Sequence, residues 1–153
     1  MCPVARSLDV VGDWWSLLII RDAFDGMRRF GEFQRSLGVA KNILTSRLKA
    51  LVANDVLEMV PATDGGAYSE YALTDKGRAL FPVIVGLRQW GEDYLFGPKE
   101  PHSVLADTRR DRPVARLEVR SSDGRRLEPE DTVVKKVPPS KIARPTTRKS
   151  SAV

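Results

Sequence analysis

Lys41, Asn42, Thr45, Ser46 and Lys49 recur at spacings that bring all five to one side of a helix, with no carboxylate among them. An amide and two hydroxyls can hydrogen-bond base edges, and two ammonium groups can meet phosphates. The chemistry on offer is recognition. Little else in the 153 residues could assemble a reaction centre. One histidine, His102, and one cysteine, Cys2, cannot form a Cys/His metal cluster, and the chain has neither a Gly-rich phosphate loop nor a Gly-x-Ser-x-Gly elbow. No catalytic residue, metal ligand or cofactor is therefore expected, and the chain does not read as an enzyme.

The polar residues need a scaffold that turns them outward. Leu44, Leu48 and Leu51 lie at i, i+4 and i+7 of the same stretch and must face a core, which predicts a helix over about 40–54. A shorter helix comes before it, with Phe30, Phe33 and Leu37 facing inward and Arg29 and Arg35 left to meet phosphates, and Gly38-Val39 marks the turn between them. Such a pair is either a plain helical hairpin or a helix-turn-helix whose second helix enters the major groove. The next segment favours the second reading. Val56, Leu57, Met59 and Val60 run into Ala62-Thr-Asp-Gly-Gly-Ala67, and Tyr68, Tyr71 and Leu73 return, the pattern of a β-hairpin and so of a wing behind the recognition helix.

Charge follows the same division. Residues 1–97 hold 11 basic and 12 acidic residues, 98–134 hold 8 of each, and 135–153 hold 6 basic and no acidic ones. Within the near-neutral body, residues 28–49 set six cations against Glu32 alone, a positive patch where a phosphate surface needs one. Upstream, a short helix ends near Gly12 and a second runs from an Asp13 cap to Phe24, apolar on nearly all sides and so central. Met27–Phe30 reads as an extended piece able to pair with the wing. Thr74 caps a long helix over 75–96, kinked at Pro82, with Leu80, Val83, Ile84, Leu87, Trp90 and Tyr94 in one stripe and Phe81 and Val85 outside it. Its surplus apolar surface argues for a partner subunit. The expected fold class is mainly α with a small β-wing (α+β). Residues 1–97 form the winged helix-turn-helix and dimerisation domain, 98–137 a small β-hairpin around Ser121-Ser-Asp-Gly124, and 138–153 a disordered basic tail able to add sequence-independent DNA affinity. With one cysteine, no signal-like segment and no run of 18 apolar residues, a cytoplasmic, nucleoid-associated protein without a membrane partner is expected.

Residues 2–96 resemble the HxlR family of bacterial winged helix-turn-helix transcriptional regulators, relatives of the MarR type. The resemblance rests on Cys2-Pro, Leu8-Asp-Val-Val-Gly-Asp-Trp-Trp-Ser-Leu-Leu-Ile-Ile-Arg21, Gly26-Met-Arg-Arg-Phe-Gly-Glu-Phe33, Ile43-Leu-Thr-Ser-Arg-Leu-Lys-Ala-Leu51, Tyr71-Ala-Leu-Thr-Asp-Lys-Gly77, and Pro82 with Trp90. It implies a homodimer held by the terminal helices, with Leu8, Trp14, Leu87, Trp90 and Tyr94 at the interface. Each subunit would read half of a palindromic site in double-stranded DNA through Lys41, Asn42, Thr45, Ser46 and Lys49, while Arg29 and Arg35 grip the backbone. The wing tip, Thr63-Asp-Gly-Gly66, departs from the pattern, because it has no cation and carries Asp64. Cys2 matches the N-terminal cysteine that some such regulators use to sense oxidants or electrophiles, with Arg6 near enough to favour a thiolate; the other reading is a small, half-buried residue. A small-molecule effector is the remaining expected partner, with Trp14 or Trp90 as candidate pocket walls. The rival function is a winged-helix module that binds protein and reads no DNA, since fold does not fix function.

Overall fold

The computed structural model describes residues 2–136. It opens with α1 (Pro3–Val11), α2 (Trp14–Phe24), α3 (Phe30–Leu37) and α4 (Lys41–Ala53), followed by the antiparallel strands β1 (Leu57–Pro61) and β2 (Ser69–Leu73). α5 (Asp75–Arg78) and α6 (Phe81–Tyr94) come next, then a two-residue strand pair, β3 (Ala106–Asp107) with β4 (Arg112–Pro113), and a 3-10 turn at Pro129–Asp131. The fold is α+β with a small hairpin, as the pattern of residues predicts.

Asp13 starts α2 by accepting from the Ser16 amide at 3.0 Å, so one of the helix's orphan donors is satisfied where the apolar run begins. Ile19 and Ile20 on this helix are fully buried, as are Phe33 of α3 and Leu44, Leu48 and Leu51 of α4. These residues and Leu57 of β1 make one core, and α2 runs through it with packing against α3, α4 and α6. The turn between α3 and α4 depends on Gly38 at φ 60°, a left-handed C-cap that side chains with a Cβ adopt only with strain. In the wing, Leu57 pairs with Leu73 and Pro61 with Ser69. Met27–Phe30 joins it through a backbone hydrogen bond from the Tyr71 amide to the Arg28 carbonyl at 2.8 Å.

The expected long helix is two helices. Thr74 caps the first by accepting from the Gly77 amide at 3.0 Å, but the continuous run breaks at Ala79-Leu80 and Pro82 lies in the first turn of α6. Proline lacks an amide hydrogen, and the first turn is the one place in a helix where none is needed. It therefore opens a new helix where a kink in an old one was expected.

The burial of α6 also differs from the expected stripe. Its fully buried residues are Val85 and Gln89; of the expected stripe Leu80 and Ile84 do pack against the core, while Val83, Leu87, Trp90 and Tyr94 are about half exposed or more. Gln89 explains the turn of the helix. Its amide nitrogen donates to the Ala115 carbonyl at 3.0 Å and its oxygen accepts from the Leu117 amide at 2.8 Å, so the polar end ties residues 115–117 to α6.

The chain divides after Leu117 into two compact units, so residues 98–117 belong with the helical unit, where the sequence reading began a separate extension at 98. In the second unit the turn at Ser121–Gly124 closes through an Arg120–Arg126 bridge and a bond from the Leu127 amide to the Val119 carbonyl at 2.8 Å, without longer strands. The short hairpin of β3 and β4 was not anticipated. The basic tail expected over 138–153 lies outside the described residues.

Candidate nucleic-acid interface

α4 presents its two faces as the leucine spacing requires. With Leu44, Leu48 and Leu51 fully buried, Lys41, Asn42, Ser46 and Lys49 are exposed on the far side and Thr45 is half-buried beside them. The five line one shallow open hollow on the helix surface. Thr45 donates its hydroxyl to the Lys41 carbonyl at 2.7 Å, which fixes its rotamer and leaves the oxygen able to accept. Ala40, at the N-cap of α4, supplies no side-chain acceptor, and the first turn contains no acid. The positive end of the helix dipole is thus uncompensated beside Lys41 and suits an approaching phosphate. Ile43, 36 % exposed at the flank, is a residue the sequence reading missed. Its hydrophobicity made it look like core, yet it can meet a thymine methyl.

The positive patch is smaller than the cation count implies. Arg28 places Nε 2.8 Å from Oε2 of Glu70, and Arg29 places Nε 3.1 Å from Oε1 of the same carboxylate. Arg29 also reaches Asp64 through Nη2 at 2.7 Å and stacks its guanidinium 4.8 Å from the Tyr68 ring centre. Arg47 lies 3.3 Å from Asp13. Arg35, Lys41 and Lys49 are the members of the set with no ion-pair partner among the described residues. Arg29, expected as a phosphate grip, has its Nε and Nη2 engaged by carboxylates of the wing while its side chain remains 42% exposed. Arg35 is exposed at the end of α3, in a separate hollow with Glu32 and Ser36.

Glu70 is the centre of this wing network and is 1 % exposed. Burial alone would push its carboxyl up, but hydrogen bonds from Arg29 and Thr63 and the charge of Arg28 outweigh that and hold it below the usual range. Asp64 at the tip is lowered to about 2, first by the Tyr68 hydroxyl, then by the Gly66 amide, then by Arg29. Glu32 is also held low, by the backbone amides of Arg28 and Arg29, which donate to it at 2.8 and 2.9 Å and so fix the start of α3. The acidic wing tip is an internal latch.

Leu8, Trp14, Leu87, Trp90 and Tyr94 are all exposed, from 50 % at Leu87 to 72 % at Tyr94. The Trp90 and Tyr94 rings lie 5.8 Å apart. Cys2 is exposed at the N-cap of α1. Neither Trp14 nor Trp90 lines the cavity found between α2 and α6, so the tryptophans are not its walls. No helix among the described residues is long and apolar enough to cross a membrane.

Comparison with known proteins agrees with this arrangement. A family model described as HxlR-like helix-turn-helix matches residues 10–98. An uncharacterized HTH-type transcriptional regulator of Mycobacterium tuberculosis is 47% identical over 98 residues, which cover 64% of this chain and 62% of that one. The match thus spans less than two thirds of that relative's length. Among solved structures, PA1607, provisionally assigned as a transcription factor, is 59% identical with a TM-score of 0.85, over 89% of this chain and 95% of its own. The redox regulator HypR in its reduced form is 32% identical with a TM-score of 0.54, over 60% of this chain and 92% of its own. The outward polar helix, the hairpin behind it and these matches together lead to one assignment: the chain belongs to the HxlR-like helix-turn-helix family of transcriptional regulators, winged-helix proteins of the MarR-like type.

Proposed function

We propose that this chain acts in the cytoplasm as a homodimeric regulator that reads a palindromic operator, each subunit laying α4 in one major groove. The observation that carries the reading is the outer face of α4, where Lys41, Asn42, Thr45, Ser46 and Lys49 stand together without a carboxylate and three buried leucines fix the orientation. A protein-docking face has no reason to exclude acids so completely. Exposed apolar side chains at Leu8, Trp14, Leu87, Trp90 and Tyr94 support the second subunit, since large apolar side chains in such number on a few helices are suited to a partner's cover. Arg35 contributes a backbone contact at the margin, and Arg29 acts by holding the wing in place.

The test uses binding sites selected from random duplexes with the wild-type protein. Joint replacement of Asn42 and Lys49 by alanine should weaken binding to the selected site by about 2–4 kcal/mol, while sedimentation still reports a dimer. Unchanged affinity would favour the protein-interaction reading. A second feature is thiol control. Cys2 is exposed, and the structural relative HypR is described as a redox regulator. Diamide should lower DNA affinity of the wild type and leave a Cys2→Ser variant unaffected; equal responses would remove Cys2 from the account.

A further inference from the structure

Within the wing network, the bond between Arg29 and Asp64 is redundant for holding the structure together. Arg29 is the N-cap residue of α3 and has two other anchors: its Nε lies 3.1 Å from Oε1 of Glu70, and its guanidinium stacks 4.8 Å from the Tyr68 ring centre. Asp64 also has two others, the Tyr68 hydroxyl and the Gly66 amide at 3.0 Å. Either residue keeps its place if the 2.7 Å bond from Nη2 of Arg29 to Asp64 opens. What that bond withholds is then the question.

The two carboxylates that share Arg29 are not equivalent. Glu70 is 1 % exposed, and its Oε2 also accepts from Nε of Arg28 at 2.8 Å and from the Thr63 hydroxyl at 3.1 Å, so it is too enclosed for an incoming anion to replace. The Asp64 side chain, by contrast, is 51 % exposed. Ion pairs this open to water are weak, because solvent screens them and two side chains must be held still. A phosphate oxygen offered to Nη2 can therefore compete with Asp64, and the guanidinium fork suits phosphate as well as carboxylate.

Position favours that encounter. When the second helix of a helix-turn-helix enters the major groove, the first crosses the backbone. Arg29 opens that first helix, α3, yet in the free protein its charge is met by acids. Two cations, Arg28 and Arg29, face two carboxylates, Glu70 and Asp64, and only Asp64 can be exchanged.

We propose that Asp64 is an autoinhibitory residue of the DNA-binding surface: it occupies Nη2 of Arg29 and so competes with a phosphate of duplex DNA for the same donor. Glu70 keeps Arg29 aimed whichever partner Nη2 takes. The consequence is a lower affinity for duplexes of every sequence, which leaves recognition to the polar face of α4. The inference rests on the regulator reading of that face.

Fluorescence anisotropy of the full-length protein on a selected operator and on an unrelated duplex of equal length, each across a range of salt concentrations, tests it. Asp64→Asn removes the charge and keeps an oxygen to accept from the Gly66 amide, whereas Asp64→Ala leaves Arg29 no acceptor at the tip. Both should raise affinity about fivefold or more on both duplexes at about 0.1 M salt and steepen the salt slope by about 1 per subunit, as one added phosphate contact requires. In an Arg29→Gln background the same changes should bring less than about twofold, whereas mere loss of a repelling charge brings equal gains with and without Arg29. Thermal melts confirm that each variant is folded. Unchanged or reduced affinity in both Asp64 variants, or an equal gain in the Arg29→Gln background, overturns the inference. Joint replacement of Asn42 and Lys49 by alanine judges the regulator reading separately. Operator binding lost there, with no gain from either Asp64 variant, keeps that reading and removes Asp64 from it. A gain through Asp64 with affinity indifferent to Asn42 and Lys49 overturns the reading of α4 and keeps the contact at Arg29.

Discussion

Asp64 shows how a single carboxylate changes the meaning of its neighbours. By charge alone, an acid at the wing tip repels DNA and Arg29 attracts it, but each satisfies the other at 2.7 Å. Sequence gave the identity of both residues but not their meeting, since the partners are separated by the whole helix-turn-helix and only the hairpin register brings them together. Glu70 was equally silent, being one charged residue in a strand of mixed character, and its burial between Arg28 and Arg29 became visible only in three dimensions. The latch has a pH signature. Asp64 has a native pKa of about 2, below the unfolded value of about 3.9, so its contribution is fully present above pH 4 and is lost as pH falls towards 2. The Gly66 amide resonance, which reports the bond to Asp64, should titrate with a midpoint near 2. A midpoint near 4 would mean that the latch does not form.

At the scale of elements, α4 and α6 differ in how much their residues disclose. The leucines of α4 repeat at helical spacing and its polar side is uniform, so both its limits and its buried face were legible, the helix running from Lys41 to Ala53 against an expected 40–54. In α6 apolar residues occur on more than one side, and a period alone cannot tell a core stripe from one that awaits a partner. The deciding residue was Gln89, which reads as solvent-facing until residues 115–117 are seen to lie across it. The β3–β4 pair left no signal because two-residue strands are too short to show alternation. Replacing Gln89 with leucine should leave the Ala115 carbonyl and the Leu117 amide without their partner and cost about 1–3 kcal/mol. Chemical denaturation gives the energy, and faster hydrogen exchange at the Leu117 amide identifies the cause. Unchanged exchange would show that the segment is held by other contacts.

At the scale of the molecule, the fold leaves uncovered, among the described residues, both the polar face of α4 and the apolar side chains at Leu8, Trp14, Leu87, Trp90 and Tyr94. Two copies joined through the second would present two copies of the first, as a palindrome requires. Leu87→Asp with Trp90→Asp should turn the dimer into a folded monomer in sedimentation, with weak residual affinity for half-sites; a persistent dimer would exclude this interface. The exclusion of carboxylates from residues 41–53 made the polar face of α4 readable from the chain, whereas the true extent of the positive patch was not, because Arg28, Arg29 and Arg47 find acids distant in sequence. The most direct measurement compares single variants on selected operators across a range of salt concentrations. Asn42→Ala should relax base preference at one position in each half-site with the salt slope kept. Lys49→Ala should weaken all sequences alike and lower that slope by about 1 per subunit. Identical base preferences and salt slopes in wild type and both variants would contradict the claim that α4 reads DNA.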